Sequence, residues 1–196
     1  TLPEYASNNL ETEDKTKETN TTSINDNDTS TEYITVKNTE DITADINPER
    51  TTYQTGFYYE PLTDTVKQRI TGISYPVNGC TIPYEELNYV GLLYIDFNGM
   101  TQQGELICNR ALAQDMVEIF YELYQNGYQI ERIRLIDDYG GDDIASMKDN
   151  NTSCFNYRVI DGTTSLSNHA YGLAIDINPF YNPYVIFDRN DAEYIY

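Results

Sequence analysis

The sequence predicts an α+β fold, a small mixed or antiparallel sheet with flanking helices, and three observations predict it. Residues 109–126 carry an apolar stripe at helical spacing. Three apolar runs, at 90–99, 130–137 and 173–178, read as strands. These pieces do not alternate as the regular units of a parallel sheet, and that leaves α+β. The chain has 196 residues, enough for one ordinary domain and a tail.

The tail comes first. Residues 1–50 contain 11 Thr and no Gly, Phe or Cys, and set 4 basic against 12 acidic residues. Beyond a short alternation in TEYITV they follow no helical or strand period. Such a stretch buries too little apolar area to offset its ordering entropy. Residues 1–52 therefore read as a disordered acidic linker, and 53–196 as the folded domain. Within that domain, VKQRITGISY (66–75) reads as a short helix or a helix running into a turn, and TIPYEELNYV (81–90) as a short helix entered through Pro83. VGLLYIDFNG (90–99) is an apolar, aromatic run ended by Asn98-Gly99, hence a strand and a turn. The helix over 109–126 has Asn109 as its cap, Leu112, Met116, Ile119, Phe120 and Leu123 as its core stripe, and Asn126-Gly127 as its end. IERIRLID (130–137) alternates as a strand, and the polar stretch DYGGDDIASMKDNNTS after it reads as a long functional loop. LAIDIN (173–178) is a further strand, broken by YNPY (181–184).

Charge and composition exclude several classes. With 12 basic and 32 acidic residues the net charge is −20. No basic face is left to bind nucleic acid through its phosphates, or to hold an anionic membrane. No run of about 18 apolar residues exists to span a bilayer. The opening TLPEYASNNLETEDK lacks the basic and apolar regions of a signal peptide, so export is either absent or already processed. Three Cys (Cys80, Cys108, Cys154) are too few for a disulfide scaffold and do not form a zinc knuckle; reduced or buried thiols are expected. The pairs Asp137-Asp138 and Asp142-Asp143 lack the ligand spacing of a calcium loop. They read as a solvated loop in which Asp142 or Asp143 braces Arg158.

The chemistry concentrates in SLSNHAYGLAIDINPFYNPY (165–184). His169 is the single histidine of the chain, and Asp176 follows seven residues later inside an apolar strand. Alternation sets Leu173, Ile175 and Ile177 on one face, Ala174 and Asp176 on the other. A carboxylate between isoleucines needs a partner, and a metal ion shared with His169 across the Gly172 bend is one candidate. A hydrogen-bonded histidine beside a turn, with the aspartate capping a loop, is the other.

Ser167, His169, Gly172, Ala174 and Asp176 fit, position for position, the signature Ser-x-His-x-x-Gly-x-Ala-x-Asp. The segment thereby resembles the VanY-type zinc D-alanyl-D-alanine carboxypeptidases, metallopeptidases of peptidoglycan. RITGISY, IDFNG, GELICNRALAQDMVEIFYELY and IERIRLIDDYGGDDIASMKDNNTSCFNYR look like the same branch, so the likeness extends over roughly residues 57–185. It implies the zinc DD-peptidase (hedgehog-like) fold. It implies one Zn2+ held by His169, Asp176 and a second His, with zinc-activated water as the nucleophile. The implied activity is hydrolysis of a peptidoglycan stem peptide, as a D-Ala-D-Ala carboxypeptidase or an L-Ala-D-Glu endopeptidase. Arg158, in TSCFNYR and eleven residues before His169, is the implied catalytic cation, with Arg134 as second choice. Ser153 and Ser167 are candidate peptide-binding hydroxyls, with a loop-bracing hydroxyl as the alternative at each. The implied location is extracellular or in the bacterial cell envelope, with residues 1–52 as a tether.

The second His of that family lies in a C-terminal segment with a Trp-Gly-Gly-Asp-Trp stretch and a His-Phe pair, a few residues after a catalytic Glu or Asp. This sequence has no Trp and no second His. The expectation is therefore a peptidase domain truncated at its C-terminus and inactive at this length. The alternative is a non-catalytic domain of the same fold that binds wall peptide or metal.

Overall fold

The computed structural model describes residues 47–187 and 192–195. The linker expectation for residues 1–46 lies outside the described residues. Its upper boundary falls inside strand β1 (Thr51–Gln54), and Arg50 just before it donates to both carboxylate oxygens of Glu60, at 2.8 and 3.1 Å. β1 pairs with β2 (Phe57–Pro61), β2 with β3 (Leu87–Ile95) and β3 with β4 (Thr101–Asn109), every pair antiparallel, in the order β1-β2-β3-β4. Helices pack on this sheet, and the fold is α+β.

β3 and β4 form a hairpin in register from Leu87↔Asn109 to Ile95↔Thr101. Its turn is the Asp96–Met100 segment. Asp96 Oδ1 accepts from the backbone N–H of Asn98 and of Met100, each at 2.9 Å, and Gly99 takes φ +77°. A left-handed residue at that point is why Asn98-Gly99 ends the strand. β4 was not foreseen, because TQQGE carries no apolar signal. Its alternation begins only at Leu106, whose side chain turns with Cys108 toward the helix-covered face while Ile107 turns to the other.

Two apolar clusters lie on the two faces of the sheet. On one, Val90, Leu92, Tyr94, Leu106 and Cys108 meet Ala113, Met116, Val117 and Phe120 of α2 (Ala113–Gln125). Full burial of a side chain such as Phe120 contributes about 1.5–3 kcal/mol. On the other, Leu87 and Ile107 meet Ile70 of α1 (Asp64–Ile70) together with Tyr75, Leu135 and Phe155. Asn109 caps the entry to α2 through a 3-10 turn at Arg110–Leu112, its side chain accepting from Ala111 N–H at 3.0 Å. The buried face of α2 is turned slightly from the expected stripe. Val117 is buried, whereas Ile119 is 51% exposed. Asn126 caps the C-terminus and Gly127 follows at φ +70°.

Several expected elements are shorter or different. The expected helix at 81–90 is a single 3-10 turn, Tyr84–Glu86, before β3. The strand at 130–137 reduces to β5 (Arg132–Ile133) and then turns as a 3-10 helix at Ile136–Tyr139. The Asp137 carboxylate forces the turn by accepting from the backbone N–H and the hydroxyl of Ser74, at 3.1 and 2.9 Å. The long polar loop is ordered instead. Gly140 and Gly141 reverse the chain at positive φ, and Asp142 caps α3 (Asp143–Lys148) by accepting from Ala145 N–H at 3.0 Å. β6 (Asn151–Thr152) then pairs parallel to β5. Residues 173–178 form no regular strand, since only Asp176 pairs, with Ser153. β7 (Tyr184–Phe187) and β8 (Ala192–Ile195) make a separate antiparallel pair.

Candidate metal and peptide site

The site is assembled on residues 153–156, which run beside the end of β4. Phe155 N–H donates to the Ile107 carbonyl at 3.1 Å, fastening this segment to the hairpin. On its other side, Ser153 and Asp176 exchange both backbone bonds, at 3.1 and 3.3 Å. Cys154 enters the cluster under α2, and Ile175 and Ile177 pack against that same cluster. Alternation therefore turns Asp176 to the opposite face, as the sequence predicts. Leu173 departs from the prediction at 50% exposed. Asp176 is no buried charge either: its side chain is 43% exposed, so solvent meets part of the desolvation cost.

His169 sits in a 3-10 helix, Asn168–Tyr171. Ser167 caps that helix, its hydroxyl accepting from His169 N–H at 3.3 Å. The backbone of His169 is fixed from the other side, where its carbonyl accepts from Asn156 N–H at 3.1 Å. Gly172 ends the helix at φ +65°. A Cβ at Gly172 would lie 2.5 Å from Asn109 N and 2.9 Å from the Cys108 carbonyl carbon. The turn presses so closely on the end of β4 that only glycine fits, and the Gly172 carbonyl accepts from Asn109 N–H at 2.9 Å.

This fold brings His169 Nε2 within 3.2 Å of Asp176 Oδ2. The other ring nitrogen, Nδ1, lies 2.6 Å from the Cys154 carbonyl, an acceptor with no proton to give. Nδ1 therefore carries the hydrogen, and Nε2 faces the carboxylate. A ring whose second nitrogen is tied to a carbonyl is the arrangement that orients metal-binding histidines. Burial of the ring works to lower its pKa. The bond and the charge of Asp176, aided by the Cys154 carbonyl, outweigh burial and the opposing charge of Arg158, and the pKa is raised.

Arg158 stands on the same assembly. Its carbonyl accepts from Ser167 N–H at 3.0 Å, where the 158–167 segment folds back on itself through the Val159↔Leu166 pair. Its guanidinium donates to Asp143 at 2.7 Å, so the brace expected from Asp142 or Asp143 is Asp143, while Asp142 serves α3. Arg158 Nε is buried without a hydrogen-bond partner among the described residues. Ser153 is placed beside Asp176 through its backbone, and Ser167 acts as the helix cap. Arg134 makes no bond to this group. Its backbone is tied to Asn151, at 2.9 and 3.1 Å, and its exposed side chain lines a different part of the molecule. The Cys154 carbonyl and the Asn156 N–H were not legible in advance, because backbone groups leave no mark in a residue pattern. All three cysteines are free, Cys108 and Cys154 buried.

One imidazole nitrogen and one carboxylate oxygen converge here, and both are donor types that zinc accepts. Among the described residues no group of three or more His, Cys, Asp and Glu side chains is placed to hold a metal ion. No helix there is long and apolar enough to cross a membrane. No curated protein and no solved structure matches the chain. Residues 161–195, which include Ser167, His169, Gly172 and Asp176, match the family model described as D-alanyl-D-alanine carboxypeptidase, and this partial match supports a peptidase at the level of the family.

Proposed function

We propose that this chain is the catalytic domain of a zinc metallopeptidase that hydrolyses peptidoglycan stem peptides, as a D-Ala-D-Ala carboxypeptidase or an L-Ala-D-Glu endopeptidase, in the cell envelope or outside the cell. The observation that carries the reading is the convergence of His169 Nε2 and Asp176 Oδ2 at 3.2 Å within the segment that matches the carboxypeptidase family. His169 and Asp176 would hold the zinc. When bound, the metal supplies Lewis acidity for the attack of water on a peptide carbonyl.

The remaining work falls to the chain's own residues. Cys154, through its carbonyl, keeps the imidazole in the tautomer that presents Nε2. Arg158 offers a partly exposed guanidinium, its side chain 32% accessible, as the cation for a substrate carboxylate or for the oxygen of the scissile carbonyl. Asp143 holds that guanidinium in place at 2.7 Å. Ser167 stiffens the turn that carries His169, and Gly172 lets that turn close against β4.

The test measures bound zinc by elemental analysis, together with release of D-Ala or stem-peptide fragments from peptidoglycan, on the complete gene product. His169→Ala and Asp176→Ala are expected to remove metal and cleavage together. Stoichiometric zinc without any cleavage would overturn the enzyme reading in favour of a module that binds wall peptide. Cleavage undiminished in both variants would show that the ligands lie elsewhere.

A further inference from the structure

Arg134, second choice for the catalytic cation, has no role in the site just described, and its surroundings give it another. A cavity of about 420 Å³ opens on the sheet face that carries Tyr89, Gln103 and Glu105, the face opposite α2. Its walls include Tyr58, Tyr89, Gln103, Glu105, Arg134 and Asp138.

The floor is tight. Gly91 lies so close under Tyr58 that a Cβ there would be 2.4 Å from the ring. Glycine at this position lets the aromatic ring lie down on the sheet. The ring is fixed further by the Arg50 guanidinium, 3.8 Å from its centroid.

The charges in the cavity are unevenly satisfied. Arg69 donates to both oxygens of Glu105, at 2.9 and 2.7 Å, and to Asp138 at 2.7 Å. The Tyr89 hydroxyl donates to Glu105 at 2.9 Å as well. Both acids are thus already engaged. Arg134 is exposed and has no ion pair and no side-chain hydrogen bond among the described residues. A chain with 32 acidic and 12 basic residues has acids in excess to pair its cations. An arginine left unpaired at a cavity wall, beside acids held by another arginine, is complementary to a carboxylate brought by a ligand. The Tyr58 ring and Leu93 supply apolar wall, and the Gln103 amide can both donate and accept to a peptide bond.

We propose that this cavity is a subsite for a carboxylate-bearing peptide, with Arg134 as the carboxylate receptor, and that it holds a part of the wall stem peptide remote from the scissile bond. The proposal rests on the reading of the chain as a stem-peptide hydrolase. Binding energy at such a remote subsite would orient the peptide across the face that also carries Ser153 and Asp176.

The test is amide chemical-shift mapping and calorimetric titration of the isotopically labelled full chain with the tripeptide L-alanyl-γ-D-glutamyl-L-lysine, and with its fully amidated form as control. Saturable shifts are expected at Gly91, Gln103 and Gly104. Arg134→Gln should weaken binding by about tenfold or more, Arg134→Lys should retain part of it, and the amidated peptide should bind as weakly as it does to Arg134→Gln. Arg134 is exposed, so these variants keep the fold, and unchanged amide positions elsewhere verify it. The proposal is overturned by shifts confined to residues 153–176, by equal binding of the amidated peptide, by Arg134→Gln binding as wild type does, or by no saturable shift at all. Wild type separates the two readings. Saturable binding at the cavity in a zinc-supplied wild-type protein that never cleaves peptidoglycan sinks the hydrolase reading and leaves the subsite. Cleavage by wild type with a silent cavity does the reverse.

Discussion

Gly172→Ala tests how the histidine turn is built, and the fold supplies its own matched control. Gly140 and Gly172 each end a 3-10 helix, at φ +65° with ψ +22° and +26°. An L-residue pays the same dihedral cost at both, about 1–2 kcal/mol. Their surroundings differ. A Cβ at Gly140 meets nothing within 4 Å, whereas at Gly172 it would lie 2.5 Å from Asn109 N and 2.9 Å from the Cys108 carbonyl carbon. Those atoms are backbone at the end of β4 and cannot rotate away. Relief must come from moving the turn, at a further cost of about 1–3 kcal/mol typical of overpacking. It also strains the Asn109 N–H bond to the Gly172 carbonyl, now 2.9 Å. Urea unfolding of both variants beside wild type reads the difference between them. Gly172→Ala is expected to cost at least about 1 kcal/mol more than Gly140→Ala. Equal costs would refute the argument and show that the turn has slack against β4. On the proposed reading of His169 as a zinc ligand, zinc affinity should fall in Gly172→Ala, because the moved turn carries it, and stay unchanged in Gly140→Ala.

Other outcomes follow from burial and charge. Phe120→Ala should cost about 3–5 kcal/mol, and Ile119→Ala, on the exposed flank of α2, less than about 0.5 kcal/mol in the same unfolding assay. Asp137 has its pKa raised, chiefly by burial, against the two bonds from Ser74 that favour the carboxylate. The native state thus holds this proton more tightly than the unfolded chain does. That contribution is complete below the unfolded value of 3.8 and is lost as pH rises through the folded pKa. Asp137→Asn, which can still accept from Ser74 N–H and donate to its hydroxyl, should therefore gain stability relative to wild type between about pH 3.5 and 7. Unfolding curves whose difference is flat over that range would mean Asp137 stays ionised at no cost.

What the sequence made legible was whatever a side-chain pattern encodes. The helix at 109–126, its Asn109 cap and its Gly127 end are local signals, and they held because the cap side chain and the positive φ are local needs. His169 and Asp176 could be singled out together in the sequence, as the single histidine and an aspartate between isoleucines on either side of the Gly172 bend, but their approach depends on contacts outside that segment. β4 was invisible: its first five residues are polar or glycine, and only the partner strand β3 makes them a strand. The shortened strand at 130–137 failed through a distant contact. Asp137 reaches Ser74, 63 residues back, and turns the chain before its alternation runs out. The polar stretch after it reads as a loop on composition, although Asp142 is a good helix cap and the preceding Gly140-Gly141 can reverse direction.

The site itself shows where pattern stops and fold begins. Its two candidate donor atoms come from residues 169 and 176, yet neither is positioned by its own segment alone. Asp176 is registered by its backbone exchange with Ser153, the imidazole is turned by the Cys154 carbonyl, and the helix of His169 is anchored by Asn156 N–H. Four consecutive residues, 153–156, thus fasten both donors, and Phe155 among them fastens the group to β4 through Ile107. All four attachments use backbone groups of residues 153–156, whose geometry depends on how the chain is paired and not on residue identity. A sequence signature can therefore mark the donors while saying nothing of what aligns them. The alignment is a property of the sheet, which is why the hairpin of β3 and β4, devoid of candidate catalytic residues, is as necessary to the site as His169.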